Sequence, residues 1–308
     1  MRSQTPIRSI IELNIAVVLF GGTALFAKIV PLPVPFIILG RSAVAAAALL
    51  VFLVATGTSF RPASRRDFAL LAGLGVLLAV HWVTYFQAIR VSTVAVGTIS
   101  LHTYPIITVL LEPLVERKRL HLADAVLAVV VLAGIIVLVP EFTLASTTSQ
   151  GVLWGVAAAL LFTIRNLVVR RLVQRYSGST MMFYQTAVSA LVLLPFVALS
   201  DGLGPVVAQW PRFLLLGTVF TALTQTLYAS SLRLLSAKTV SIIATLLPFH
   251  STVFALIILG EVPTVRTVVG GVIVVAAVMI ETARAAGGPP AARQRDEDEQ
   301  AAGTSDTR

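Results

Sequence analysis

Tyr85-Phe86-Gln87-Ala88-Ile89-Arg90, followed after fourteen residues by Pro105, returns 143 residues further on as Tyr228-Ala229-Ser230-Ser231-Leu232-Arg233 with Pro248. The spacing Tyr-x4-Arg-x14-Pro is kept without a gap, and both copies lie across two consecutive apolar runs. A window of about 19 residues, the length of a membrane-crossing helix, picks out such runs along the whole chain. They fall near residues 10–30, 35–56, 68–89, 94–115, 121–140, 150–169, 180–200, 212–232, 239–260 and 266–284. Each is long enough to cross a hydrocarbon core roughly 30 Å thick. The short connections hold the usual breakers: Pro31 to Pro35, Pro140, Ser177-Gly178, Asp201 to Pro205 and Pro263. The sequence therefore predicts an all-α integral membrane protein with ten transmembrane helices.

The repeated stretch marks the third and fourth helices of each half. Five helices per half is an odd number, so the second copy enters the bilayer upside down, an arrangement found in secondary transporters. Charge agrees with it. With both termini cytoplasmic, that side receives Arg2, Arg8, Arg61, Arg65, Arg66, Arg117, Lys118, Arg119, Arg170, Arg171, Arg175, Arg233 and Lys238, and the opposite side only Lys28, Arg90, Arg212 and Arg266. That bias sets the orientation in the cell's inner (plasma) membrane. The basic loop Arg117-Lys118-Arg119 has as its counterpart Gly260-Glu261-Val262-Pro263, which carries no basic cluster and lies on the other side. The expected units are a first repeat at 1–140, an inverted second repeat at 141–286 and a disordered cytoplasmic tail at 287–308 with the acidic run Asp296-Glu297-Asp298-Glu299.

Composition supports a bilayer protein. Of the 308 residues 57% are hydrophobic and 12% charged, against about a quarter charged in a soluble domain. No cysteine is present, which excludes disulfides and thiol chemistry. The net charge of +9 does not indicate nucleic acid, because the basic residues are spread over short loops and not gathered on one face. The basic start MRSQTPIRS leads straight into an apolar stretch without a small-residue cleavage site, so the first helix is expected to be retained.

Several stretches resemble the EamA type of the drug/metabolite transporter superfamily. They are Phe20-Gly21-Gly22 and Trp154-Gly155 at the repeat starts, Arg41 and Gln185 inside the second and seventh helices, and a helix proline followed by an apolar run and Gly-Glu. The second half has that last pattern intact, from Leu247-Pro248-Phe249 to Leu259-Gly260-Glu261. The first half has Tyr104-Pro105, yet Arg117 and Lys118 stand where Gly and Glu are expected. The resemblance implies two EamA-like five-helix repeats and small-molecule transport, without naming a substrate.

Polar groups inside spans are costly and mark candidate sites. His81 and Tyr85 share a face of the third helix, with Trp82 beside them. Thr221, Gln225 and Tyr228 form a similar stripe on the eighth, and the 143-residue shift sets Trp82 opposite Gln225 and Tyr85 opposite Tyr228. Both stripes are read as substrate lining, with interhelical packing bonds as the plain alternative. His102 and Tyr104 precede Pro105, and His250 follows Pro248, where a proline frees a backbone carbonyl. His81, His102, His250 and Glu112 are the candidates for taking up a coupling proton. Arg41 either meets an anionic substrate group or snorkels to the surface, and Arg165, close to Arg170 and Arg171, is expected to snorkel. Gln185 completes the expected binding set. The histidines do not have ligand spacing, so no metal is expected.

There is no phosphate loop, no His-Glu-x-x-His and no Gly-x-Ser-x-Gly. The resulting expectation is a secondary carrier without cofactor, working as a monomer in the lipid bilayer. It exports amino acids or related metabolites by alternating access around a midplane site between the repeats, with protons as coupling ion. The tyrosine, histidine and glutamine lining favours neutral or zwitterionic solutes. A lipid-modifying intramembrane enzyme would need a carboxylate or nucleophile cluster at one depth, whereas the acidic residues lie mostly at helix ends. A channel is the other alternative, which the few intramembrane charges fit less well.

Overall fold

A computed structural model describes residues 6–59, 61–116, 122–139, 141, 143–172, 175–200, 202–231, 235 and 237–285. Arg117 to Arg119, Arg233 and the tail at 287–308 lie outside the described residues. Among the described residues every regular element is a helix, and there is no strand.

The first helices are α1 (Pro6–Thr23), the short α2 (Phe26–Ile29), α3 (Val34–Ala55) and α4 (Arg65–Val91). Pro33 starts α3, and the Ser64 hydroxyl starts α4 by accepting from the Asp67 N–H at 3.0 Å. Next come α5 (Val94–Leu101) and α6 (Tyr104–Glu116), which share one apolar stretch broken before Pro105. The proline has no N–H to continue the ladder, and its ring displaces the preceding turn. Then follow α7 (Leu122–Leu138), α8 (Thr147–Leu172), α9 (Gly178–Leu199) and the short α10 (Gly204–Ala208). α11 (Trp210–Gly217) runs through a π-helical turn at Thr218–Leu223 into α12 (Thr224–Ser231). α13 (Ala237–Ala244) and α14 (Leu247–Phe254) are separated by a break before Pro248, and α14 ends in a second π-helical turn at Ala255–Leu259. α15 (Val265–Ala285) is last. The starts of α5 and α13, of α6 and α14, and of α7 and α15 each stand 143 residues apart.

Seven helical stretches are long and apolar enough to cross a membrane: Ile7–Ile29, Val34–Ala55, Arg65–Val91, Val94–Glu112, Thr147–Val169, Gly178–Leu199 and Val265–Arg284. Leu122–Leu138 and Leu247–Leu259 are shorter apolar helices. Large apolar side chains such as Leu191, Phe196, Ile257 and Val272 are exposed on these helices, as suits a surface facing acyl chains rather than water. This is a multi-pass membrane protein.

α4 is central and packs against α5, α8 and α9, while α3 lies on α9 and α11, and α1 on α12 and α14. Small residues set the closest approaches. A Cβ at Gly270 of α15 would stand 2.7 Å from the Gly134 carbonyl oxygen of α7, and one at Gly21 of α1 would stand 2.8 Å from His250 Cβ of α14.

Among the described residues, ion pairs lie at the helix ends. Arg8 meets Glu12, Arg175 meets Asp67, and Arg284 meets Asp124 and Glu281. At the opposite ends of these helices, Lys28 pairs with Glu261 at 3.5 Å and donates to the Ser92 carbonyl at 2.7 Å. Gly260 takes φ +68, the left-handed conformation that glycine adopts without strain, and so turns the chain after Leu259. Glu261 then accepts from the Val94 N–H at 2.8 Å, at the first residue of α5. The Gly-Glu pair thus ties the end of the α14 stretch to the start of α5.

Candidate functional site

α4 presents two adjoining stripes. Trp82 and Phe86 are four residues apart, as are His81 and Tyr85, and all four are buried. Arg41 of α3 lies over the first stripe, its guanidinium carbon 3.8 Å from the Trp82 ring and 5.4 Å from that of Phe86. Only 3% of Arg41 is exposed, so it does not snorkel. Its Nη2 donates to the Thr221 hydroxyl at 3.1 Å. Thr221 in turn donates to the Leu216 carbonyl five residues back, a bond that the π-helical turn makes available. The buried Nε of Arg41 has no hydrogen-bond partner among the described residues.

The second stripe faces α5, α6 and α8. His81 Nδ1 donates to the Ala158 carbonyl at 2.9 Å. Its ring lies 5.1 Å from Phe162 and is stacked 6.4 Å from Tyr85. Tyr85 shares a hydrogen bond with Thr98 of α5 at 3.2 Å. Phe162 also meets Tyr104 edge-on at 4.8 Å, and Tyr104 lies 5.9 Å from His102. The break before Pro105 places both residues here, and His102 Nδ1 donates to the Thr98 carbonyl at 3.0 Å.

Arg165 of α8 departs from the sequence reading. It does not snorkel toward Arg170 and Arg171, because its Nε donates to Gln185 Oε1 of α9 at 2.6 Å. The fully buried Gln185 uses its amide N–H on the Met181 carbonyl, which aims its oxygen at Arg165. The remaining contacts of Arg165 are Asn166 Oδ1 at 3.4 Å, Met182 Sδ at 3.9 Å and the Phe162 ring at 6.0 Å.

Arg41, His81, Trp82, Tyr85, His102, Tyr104 and Gln185 thus form one continuous set of contacts. Sequence reasoning missed Phe162 and the inward turn of Arg165; the four-residue spacing of Phe162 and Asn166 on α8 was the only available signal. Tyr228 sits at the margin of the set, 5.9 Å from Phe20 and packed with Leu13, Val17 and Val240. Gln225 is partly buried without a hydrogen bond to a described residue. His250 lies beside Gly21 rather than in the set, and its Nδ1 donates to the Leu246 carbonyl at 2.9 Å. Glu112 is partly buried on α6. Among the described residues no group of His, Asp and Glu could hold a metal ion.

The family profile described as EamA-like transporter family matches residues 8–139 and again 149–282. The chain belongs to the EamA-like transporter family. As a member of it, this transporter is 24% identical over 266 residues to the transporter YxxF of Bacillus subtilis, covering 85% of each chain. It is 26% identical over 241 residues to the pseudopaline exporter of Pseudomonas aeruginosa, covering 78% of this chain and 83% of the exporter. An S-adenosylmethionine uptake transporter of Rickettsia prowazekii is 25% identical over 147 residues, 48% of this chain and 49% of that one. A crystal structure 18% identical in sequence superposes with TM-score 0.64 over 91% of this chain and 97% of its own, and so shares the fold.

Proposed function

We propose that this EamA-like transporter is a secondary carrier that exports small organic solutes, amino acids or related metabolites, by alternating access. The observation that carries the reading is the contact set around α4. It draws buried and partly buried polar and aromatic side chains from α3, α4, α5, α6, α8 and α9 and from the π-helical turn after α11, whereas the ion pairs among the described residues lie at helix ends. Buried polar groups at span depth mark a solute path.

The proposed topology has ten spans. Seven are the long apolar helices, two are the shorter Leu122–Leu138 and Leu247–Leu259, and the tenth is the stretch from α11 to α12. The recurrence of helix starts after 143 residues and the two separate profile matches support two inverted five-helix repeats at 1–140 and 141–286. In this reading both termini face the cytoplasm of a cell with the protein in its inner membrane, and Lys28, Arg90 and Glu261 face outside. A monomer suffices, because one chain supplies both repeats and the site between them. Two relatives, named for a pseudopaline exporter and for S-adenosylmethionine uptake, support single small molecules as cargo. Glu112, His81, His102 and His250 remain the candidates for proton coupling, with a backbone carbonyl orienting each histidine.

The test is thermal stabilisation of the detergent-purified protein by amino acids, nucleosides, sugars and organic cations, followed by uptake of any hit into proteoliposomes. A bound solute raises apparent stability by mass action. Tyr85→Ala and Tyr228→Ala are expected to abolish both signals in protein that still folds. Unimpaired transport in both variants would remove them from the lining.

A further inference from the structure

Arg41 and Arg165 are two positive charges within spans, and among the described residues no carboxylate forms an ion pair with either. Acidic partners appear at Glu12, Asp67, Asp124, Glu261 and Glu281, all near helix ends, and none forms an ion pair with either arginine. Arg41 is nearly sealed from solvent, is held by one hydroxyl and an aromatic face, and keeps its Nε–H without an acceptor. An aromatic face eases a cation's loss of water but offers no acceptor in the plane of the guanidinium. Arg165 has one good acceptor, Gln185 Oε1, and two long contacts. A buried charge normally has a partner, and here the missing partner is an anion.

A row of rings links the two guanidinium groups. Phe86 under Arg41 lies 5.9 Å from Tyr85, Tyr85 is stacked 6.4 Å from His81, His81 lies 5.1 Å from Phe162, and Phe162 lies 6.0 Å from the Arg165 guanidinium. Polar contacts with Thr221 and Gln185 set the direction of each guanidinium, while Trp82, Phe86, Tyr85 and Phe162 supply flat apolar surface between them.

We propose that the solute is an organic anion whose acidic head group, carboxylate or phosphate, is bound by Arg41 and Arg165 against this aromatic wall. The assignment rests on the carrier reading and narrows its solutes to anionic metabolites, in place of the free amino acids named there. A zwitterion leaves the pair of positive charges only partly neutralised and sets its ammonium near them, and an organic cation meets repulsion alone. The solute's negative charge thereby becomes the condition for filling the site.

Four probes with the same phenyl ring test this on the full-length protein in detergent: phenethylamine, phenylalanine, N-acetylphenylalanine and phenyl phosphate, titrated against the unfolding midpoint. N-acetylphenylalanine, phenyl phosphate or both are expected to stabilise, and whichever acts identifies the head group. Phenylalanine should bind at least tenfold more weakly, and phenethylamine should give no shift. Arg41→Gln and Arg165→Gln should each weaken the active anion at least tenfold. Stabilisation by phenylalanine or phenethylamine equal to that by the anions would overturn the proposal, and so would no shift from either anion. It also falls if both glutamine variants keep the discrimination, since the arginines would then only pack the bundle. The probe ranking on the unaltered protein decides the matter where a variant does not fold. A phenylalanine shift that disappears in Tyr85→Ala removes the anion assignment and leaves the carrier reading standing. Absence of transport of every solute in proteoliposomes removes the carrier reading itself.

Discussion

Arg90 and Arg41 show how differently one residue type is used at a helix end and inside the bundle. At the end of α4, Arg90 donates to three backbone carbonyls, Ala27 at 2.7 Å, Val30 at 3.2 Å and Leu32 at 2.8 Å. Beside it Lys28 and Glu261 neutralise one another and tie α2, α5 and the end of the α14 stretch together. That region is saturated with internal partners. Around Arg41 the partners are a hydroxyl and a ring, and one donor remains empty. The saturated region holds helices in place; the unsaturated one is built to be completed by something else. Losses of stability should therefore be large at the first and small at the second, with losses of binding in the reverse order.

The largest stability effect is expected for Arg90→Ala. It removes the side-chain donor of the Ala27 and Leu32 carbonyls, while Val30 keeps the Leu32 N–H at 2.9 Å, and should cost about 3 kcal/mol, read as a fall in the unfolding midpoint. Glu261→Ala comes next. It removes the acceptor of Val94 and the counter-charge of Lys28, at about 2 kcal/mol, and Glu261→Gln should recover part of this by keeping the hydrogen bond. Arg41→Met is expected to stay within about 1 kcal/mol of the parent, because replacing an uncompensated buried charge by an apolar side chain of similar length relieves desolvation. A loss as large as that of Arg90→Ala would break the comparison and make Arg41 a structural residue. Gln185→Glu sharpens it further. A carboxylate 2.6 Å from Arg165 Nε supplies an internal anion; stability should change by less than about 1 kcal/mol while anion-dependent stabilisation drops.

Much of this was legible in the sequence. Apolar runs of spanning length predicted the helices, and prolines at 105 and 248 marked both breaks. Helical spacing alone sets His81 and Tyr85 on one face of α4, because residues four apart share a face, and the structure stacks their rings 6.4 Å apart. Arg165 was misread because distance along the chain to Arg170 and Arg171 suggested a membrane edge, whereas the deciding contact, Gln185, lies on another helix. His250 carried the same polar signal as the residues that do gather, yet it lies beside Gly21 of α1 with its Nδ1 on the Leu246 carbonyl. The π-helical turn that presents Thr221 left no mark in TVFTAL that spacing rules detect.

The sequence by itself determined that the chain lives in a bilayer, where its helices break, and which residue types sit at costly depth, because those properties follow from local hydropathy and backbone chemistry. Only the tertiary structure decided that Glu261 closes one end and that Arg41 and Arg165 are linked by a row of rings with no ion-paired acid among the described residues. Charge compensation is a matter of a few ångströms between helices far apart in the chain, and no local pattern encodes that distance.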